Sequence, residues 1–257
     1  MSLSLSITVV ATLGFATPLL WLWFWLKEDV HPEPRKEIAT VFLAGMAMVL
    51  VAFVAQSIAA WILFVIDRGY ISFSESLAVQ PSYQTYSPLI RAVAIIGFAL
   101  IEELAKFSAA LLTALRSKYF DEPVDAMIYV MTAALGFAAL ENALFVSQVT
   151  GNMQEIFAIS AFRFANAVLI HASTGAIIGT SFAFSFCKRS KHIAYAVFAL
   201  GAATAIHAIY NFFVLAGLDN VAYQSYATLM VIVGTIIALL LFERAKHLRA
   251  QCDEIKM

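Results

Sequence analysis

Apolar runs long enough to cross a bilayer occupy most of this chain, and that one property limits the folds open to it. A spanning helix needs roughly 20 apolar residues, and such runs stand near 3–26, 38–66, 88–115, 124–149, 155–186, 192–217 and 224–242. Hydrophobic residues make up 62% of the chain and charged residues 13%, with a mean hydropathy of +0.84. That composition lies outside the range of soluble domains. Little chain is left between the runs, so residues 1–257 read as one integral membrane domain. The expected fold is all-α, a polytopic bundle of about seven transmembrane helices. The stretch 38–66 is long for one crossing and is expected to tilt or to extend beyond the hydrocarbon.

Basic residues set the orientation. Lys27, Arg35 and Lys36 follow the first run, Arg116 and Lys118 the third, and Lys188, Arg189 and Lys191 the fifth. Arg244, Lys246, Arg249 and Lys256 lie in the tail, whereas Arg68 and Arg91 mark the other side. The positive-inside rule then predicts seven spans, the N-terminus outside and the C-terminus cytoplasmic. Residues 1–26 do not read as a cleavable signal, because the first basic residue comes after the apolar run. Trp21, Trp23 and Trp25 beside Lys27 fit an interfacial aromatic belt. Cys187 and Cys252 fall at the cytoplasmic end, where neither a disulfide nor a metal knuckle is expected.

Four of these runs carry ionisable groups where the bilayer would lie. They are Glu102-Glu103-Leu-Ala-Lys106, Phe137-Ala-Ala-Leu-Glu141, Phe162-Arg163 leading to His171, and His207-Ala-Ile-Tyr-Asn211. Charged groups at membrane depth are expensive, so each marks a functional site unless a partner explains it. Lys106 is three residues from Glu103 and four from Glu102, within reach of either. One lysine cannot neutralise two acids, which leaves a carboxylate for general acid or base work. Counted at 1.5 Å per residue from the outer ends of the runs, Glu102 lies roughly 21 Å deep, His171 about 24 Å and His207 about 15 Å. Glu141 and Arg163 lie at about 12 Å, level with one another and able to pair, with Asn142 beside them. One cavity in the middle to outer half of the membrane could gather all of these groups. His207 and Asn211 are four apart and face the same way, as oxyanion donors or as partners between helices. Ala172-Ser173-Thr174-Gly175, Gly179 and Gly201-Ala202-Ala203 are explained by close helix packing.

The connections carry less information. Pro32, Pro34 and mixed charges make 27–37 an ordered polar turn, and Asp121-Glu122-Pro123 suits a helix start. Residues 67–87 form the longest outer connection, whose Tyr70, Phe73, Leu77 and Val79 suggest a short interfacial helix that could act as a lid or be a simple connector. No phosphate-binding glycine loop, GxSxG elbow or HExxH pair occurs, and no basic patch with interleaved aromatics. Phosphoryl transfer, serine hydrolysis and nucleic-acid binding are therefore not expected.

The motifs taken together resemble the PrsW family. The resemblance rests on Glu102-Glu103-x-x-Lys106, the Asp125…Tyr129…Gly136-Phe137-Ala138-Ala139-x-Glu141-Asn142 block, Phe162-Arg163…His171 and His207-Ala-x-Tyr210-Asn211-Phe212. It covers about 88–217, the expected catalytic core. The resemblance implies an intramembrane metalloprotease of the bacterial inner membrane, related to the CAAX prenyl-endopeptidase and abortive-infection superfamily. CAAX-type members typically carry histidine where this chain has Glu141, and the usual Asp-Gly stands here as Asp125-Ala126. Carried over by residue, Glu102 is the leading catalytic carboxylate, Glu103 orients it, and Lys106 tunes both. His171 and Glu141 complete the water or metal site, Arg163 supports Glu141, and His207 with Asn211 stabilises the oxyanion. A zinc ion on His171, His207 and Glu141 is chemically reasonable. The implied partners are the lipid bilayer and a membrane-protein substrate of the anti-sigma-factor kind. Two other readings use the same residues: a proton-coupled carrier or channel, for which neither a repeat nor broken helices appear, and an inactive scaffold that binds membrane proteins.

Overall fold

The computed structural model describes residues 3–72, 74–75, 86–148, 153–186, 192–217 and 220–248, with the side chains of 3–11, 13, 153–160, 164 and 192 outside that description. Seven long helices and no strand occur among the described residues: α1 (Leu3–Lys27), α2 (Arg35–Arg68), α3 (Pro88–Leu112), α4 (Pro123–Gln148), α5 (Met153–Ser185), α6 (His192–Ala216) and α7 (Val221–Lys246). Among the described residues, five stretches are long and apolar enough to cross a membrane: Arg35–Arg68, Pro123–Gln148, Ala161–Ser185, Ile193–Ala216 and Val221–Lys246. α3 carries Arg91, Glu102, Glu103 and Lys106, too many charges to pass by composition alone.

α4 is the axis of the bundle. It packs on α5, α2 and α1 most extensively, and on α3 and α7 as well. Nearly every residue from Pro123 to Ala139 is buried. The reason is side-chain size: Ala126, Ala133, Ala134, Gly136, Ala138 and Ala139 let other backbones approach closely. The tightest approach is reciprocal. A Cβ on Gly45 of α2 would stand 2.1 Å from the Ala133 carbonyl oxygen, and one on Gly136 would stand 2.1 Å from that of Phe42. Gly179 of α5 likewise lies against Met127, where a Cβ would meet its Cα at 2.6 Å. Gly201, expected to serve packing, has open space around it instead.

The outer helices turn large apolar side chains outward, among them Leu50 and Phe53 of α2, Val197 and Phe198 of α6, and Leu229 and Leu240 of α7. Lipid rather than water suits such a surface. The tryptophans divide: Trp23 is exposed beneath the Lys27 ammonium, but Trp25 is buried against Phe242 of α7. Trp25 therefore belongs to the core and not to an aromatic belt. The 27–37 turn is ordered: Asp29 accepts from the His31 amide at 3.0 Å, and the Tyr129 hydroxyl donates to Glu33. Phe73, Leu77 and Val79 of the proposed lid, and both cysteines, lie outside the described residues.

Candidate active site

The polar residues of four helices meet beside the α4 axis. Lys106 of α3 is fully buried and donates to Glu103 at 2.5 Å and to Thr174 of α5 at 3.2 Å. Its third contact is His171 Nδ1 at 3.0 Å. An ammonium can only donate, so Nδ1 accepts and the His171 proton resides on Nε2. That Nε2 faces Glu141 of α4 at 2.7 Å, and the other Glu141 oxygen accepts from Arg163 at 3.1 Å. Arg163 also donates to Asn142 at 3.0 Å. On the far side, the Glu103 oxygen that takes Lys106 also holds His207 Nδ1 at 2.6 Å. Glu141, His171, Lys106, Glu103 and His207 thus form one continuous chain of hydrogen bonds.

Glu102 stands outside that chain. Spacing lets Lys106 reach either neighbouring acid, but the rotation of α3 assigns it to Glu103. Glu102 instead accepts from Gln56 of α2 at 2.8 Å, and its second oxygen lies 3.5 Å from His207 Nε2. The two imidazoles are edge to face, with centroids 5.1 Å apart. A cavity of about 610 Å³ opens on this group, lined by Glu102, Glu141, Arg163, His171, His207 and Asn211, with Phe145, Phe162, Tyr210 and Gln224 among the remaining walls. All eight residues expected from the sequence are therefore at the site. Six are linked by the network, and Glu102 and Asn211 face the cavity beside it. The depths counted along the runs differed by about 12 Å, yet the groups touch, because helix tilt and offset bring different positions level.

Gln56 and Thr174 were not anticipated. Gln56 lies in α2, outside 88–217, and an uncharged amide does not stand out by charge. Its position within an unbroken apolar run was the available signal. Thr174 sat in a small-residue segment and read as packing.

The donor atoms fit a divalent ion. Glu102, His171 and His207 each offer an atom within 4.8 Å of the others, and two imidazoles with one carboxylate are a catalytic zinc set. Glu103 holds the remaining nitrogen of His207, and this kind of outer support fixes ring orientation in metal sites. The carboxylate in the trio is Glu102, where Glu141 was expected. Glu141 occupies the Nε2 edge of His171, so a metal on that nitrogen would replace this hydrogen bond.

A second acidic group lies at the opposite end of α4, where Glu33, Asp121 and Asp125 approach one another. Asp125 accepts the backbone amides of Asp121 and Glu122 at 3.0 and 2.6 Å, anchoring the start of α4. Burial pushes Glu33 above the ordinary 4.5, against the hydrogen bond from Tyr129. Burial likewise raises Asp29 above 3.8, against hydrogen bonds from the amides of His31 and Glu33.

Fold and site define a multi-pass helical membrane protein with an acid–imidazole cavity enclosed by its helices. The profile of the PrsW family, described as intramembrane metalloproteases, matches residues 33–240, and the chain belongs to that family. Protease PrsW of Oceanobacillus iheyensis is 25% identical over 243 residues, 93% of this chain and 96% of that protein. Protease PrsW of Geobacillus kaustophilus is 26% identical over 124 residues, 48% of this chain and 45% of that protein. The Clostridioides difficile protein of the same name is 27% identical over 138 residues, 53% of this chain and 50% of that protein. These last two matches span about half of the relatives' length. No solved structure matches the chain.

Proposed function

We propose that this protein is an intramembrane endopeptidase that hydrolyses a peptide bond of a membrane protein, with 88–217 as its catalytic core. The observation that carries the reading is the continuous chain from Glu141 through His171, Lys106 and Glu103 to His207, whose Glu141, His171 and His207 line one cavity with Glu102. Seven crossings, the N-terminus outside and the C-terminus cytoplasmic, in a bacterial inner membrane, would put that cavity in the outer half of the bilayer. An anti-sigma-factor-like protein cut near its outer side is the substrate class this placement favours. Kinship with the CAAX prenyl endopeptidases belongs to the same reading.

Hydrolysis needs a water oxygen to add to the carbonyl carbon and the C–N bond to break. Glu102 takes the water proton and returns it to the leaving amine; Gln56 holds one of its oxygens and leaves the other toward the cavity. Asn211 stabilises the oxyanion, joined by His207 Nε2 when that ring carries a proton on both nitrogens and holds no metal. Glu103 sets the His207 ring, and Lys106 sets Glu103 and His171. No side chain is acylated. In a zinc-loaded form Glu102, His171 and His207 would hold the ion, which would supply Lewis-acid polarisation and a more acidic water in place of proton transfer by Glu102 and donation by His207.

Two measurements test this. New N-termini in membranes of expressing cells are compared with those from Glu102→Ala and Glu103→Ala forms at matched abundance. Termini found only with the intact protein support the reading, and identical termini under several envelope stresses refute it. Metal content is read separately: the purified chain is expected to carry one zinc, lost in His207→Ala and retained in Asn211→Ala.

A further inference from the structure

A cavity of about 530 Å³ at the end of the bundle remote from the catalytic groups has no part in that chemistry. It exists because α1 and α2 both pack on α4 and hardly touch one another. Its floor is apolar, with Leu22, Ile38 and Phe42 buried beneath it, and Lys27 and Arg35 stand on its rim. The carboxylates around that rim are occupied: Glu28 accepts from Lys246 at 3.0 Å, Glu122 lies 3.1 Å from His31, and Glu33 takes the Tyr129 hydroxyl. Among the described residues neither Lys27 nor Arg35 has a carboxylate partner, and Lys27 lies over the Trp23 ring at 4.1 Å. Glu33 also lines the cavity, and two cations against that one carboxylate leave the rim with net positive charge.

We propose that this cleft binds one anionic phospholipid, its phosphate between Lys27 and Arg35 and an acyl chain along the floor between α1 and α2. Charge complementarity selects the occupant, because two unpaired cations above an apolar slot match a headgroup that bears net negative charge over a hydrocarbon tail. A zwitterionic lipid carries its own ammonium and gains less from the same rim. Bound there, the lipid fills the gap that α1 and α2 leave and steadies the turn that presents Glu33 to Tyr129. The site stands independently of the proteolytic reading.

The test uses the full chain, reconstituted in vesicles of phosphatidylglycerol and phosphatidylethanolamine, extracted in mild detergent and weighed intact with its retained lipid. The intact protein is expected to retain one phosphatidylglycerol. A basic side chain at a membrane surface contributes about fivefold in lipid affinity, so Arg35→Gln and Lys27→Gln should each weaken retention by about that factor. Ala39→Phe, which fills the slot without changing charge, should also displace the lipid. Lys36→Gln alters the adjacent cation that does not line the cleft, and should leave retention unchanged. All four positions are exposed, so an unchanged melting temperature shows that each variant is folded. Equal losses in Arg35→Gln and Lys36→Gln would mean diffuse surface attraction and overturn the site. So would equal retention of phosphatidylethanolamine, or no retained lipid at all.

Discussion

Replacing Lys106 by Met should unfold this protein more readily than almost any other single change, and a second substitution at Glu103 should add far less than it costs alone. Lys106 and Glu103 are both fully buried and 2.5 Å apart. Methionine keeps the length of the lysine stem but leaves the Glu103 charge in the interior, with His207 Nδ1 as its remaining partner. Removing one member of a buried ion pair costs about 3–5 kcal/mol. Glu103→Leu should cost a similar amount by stranding the ammonium. In the double variant neither charge remains, and the main residual losses are the partners of His207 Nδ1 and His171 Nδ1, about 1–3 kcal/mol each. The singles therefore sum to about 6–10 kcal/mol while the double costs less than that sum, a non-additive cycle. Equilibrium unfolding in mixed micelles measures all three. The double variant should fold yet show no cleavage, because its chain of hydrogen bonds is cut. A Lys106→Met cost below about 1 kcal/mol, or singles that simply add, would refute the buried pair as the element that holds the site together.

Four further outcomes follow from contacts elsewhere in the bundle. Gly136→Ala would drive a methyl group into the Phe42 carbonyl, at 2.1 Å with backbone on both sides, and should destabilise by about 3 kcal/mol or more. Gly201→Ala, in open space within α6, should be neutral or stabilising by up to about 1 kcal/mol, so the pair of melting temperatures separates packing from propensity. Gln56→Leu removes the hydrogen bond to Glu102 and should slow cleavage by about tenfold to a hundredfold, as expected for a bond to a charged group; a rate within twofold of the intact protein would remove Gln56 from the site. Asp29 titrates above its ordinary 3.8 in the folded chain because it is buried. The folded state therefore holds that proton more tightly, and its contribution to stability falls as pH rises from 3.8 through the higher folded value. Asp29→Asn should flatten that part of the pH profile, which thermal melts across the acidic range would show.

Much of the site was legible because charge in an apolar run has few innocent explanations. Glu102, Glu103, Lys106, Glu141, Arg163, His171, His207 and Asn211 were all identifiable from type and position. Their partners were not. Lys106 had two acids at helical spacing, and only the rotation of α3 against α5 decided for Glu103 and Thr174. Glu102 rather than Glu141 stands with His171 and His207 in the group that could hold a metal, and Glu141 is engaged by His171 and Arg163, a contact that depends on how α4 and α5 meet. Gln56 went unnoticed because neutral polarity is a weaker signal than charge.

Composition and periodicity alone determined that the chain is helical, that its helices are of bilayer length, and which side chains are too polar to face lipid. They could not rank the helices. Apolar residues surround most of them on all sides, so no stripe marks an inner face. The small residues of α4, meeting backbone at Gly45 and Gly179, made that helix the axis. Once α4 was central, α3, α5 and α6 had to turn their charged faces toward one another beside it. Lipid offers those groups no hydrogen bonds, so they satisfy each other apart from one Glu103 oxygen. That mutual satisfaction is a property of the packed bundle, and no single segment contains it.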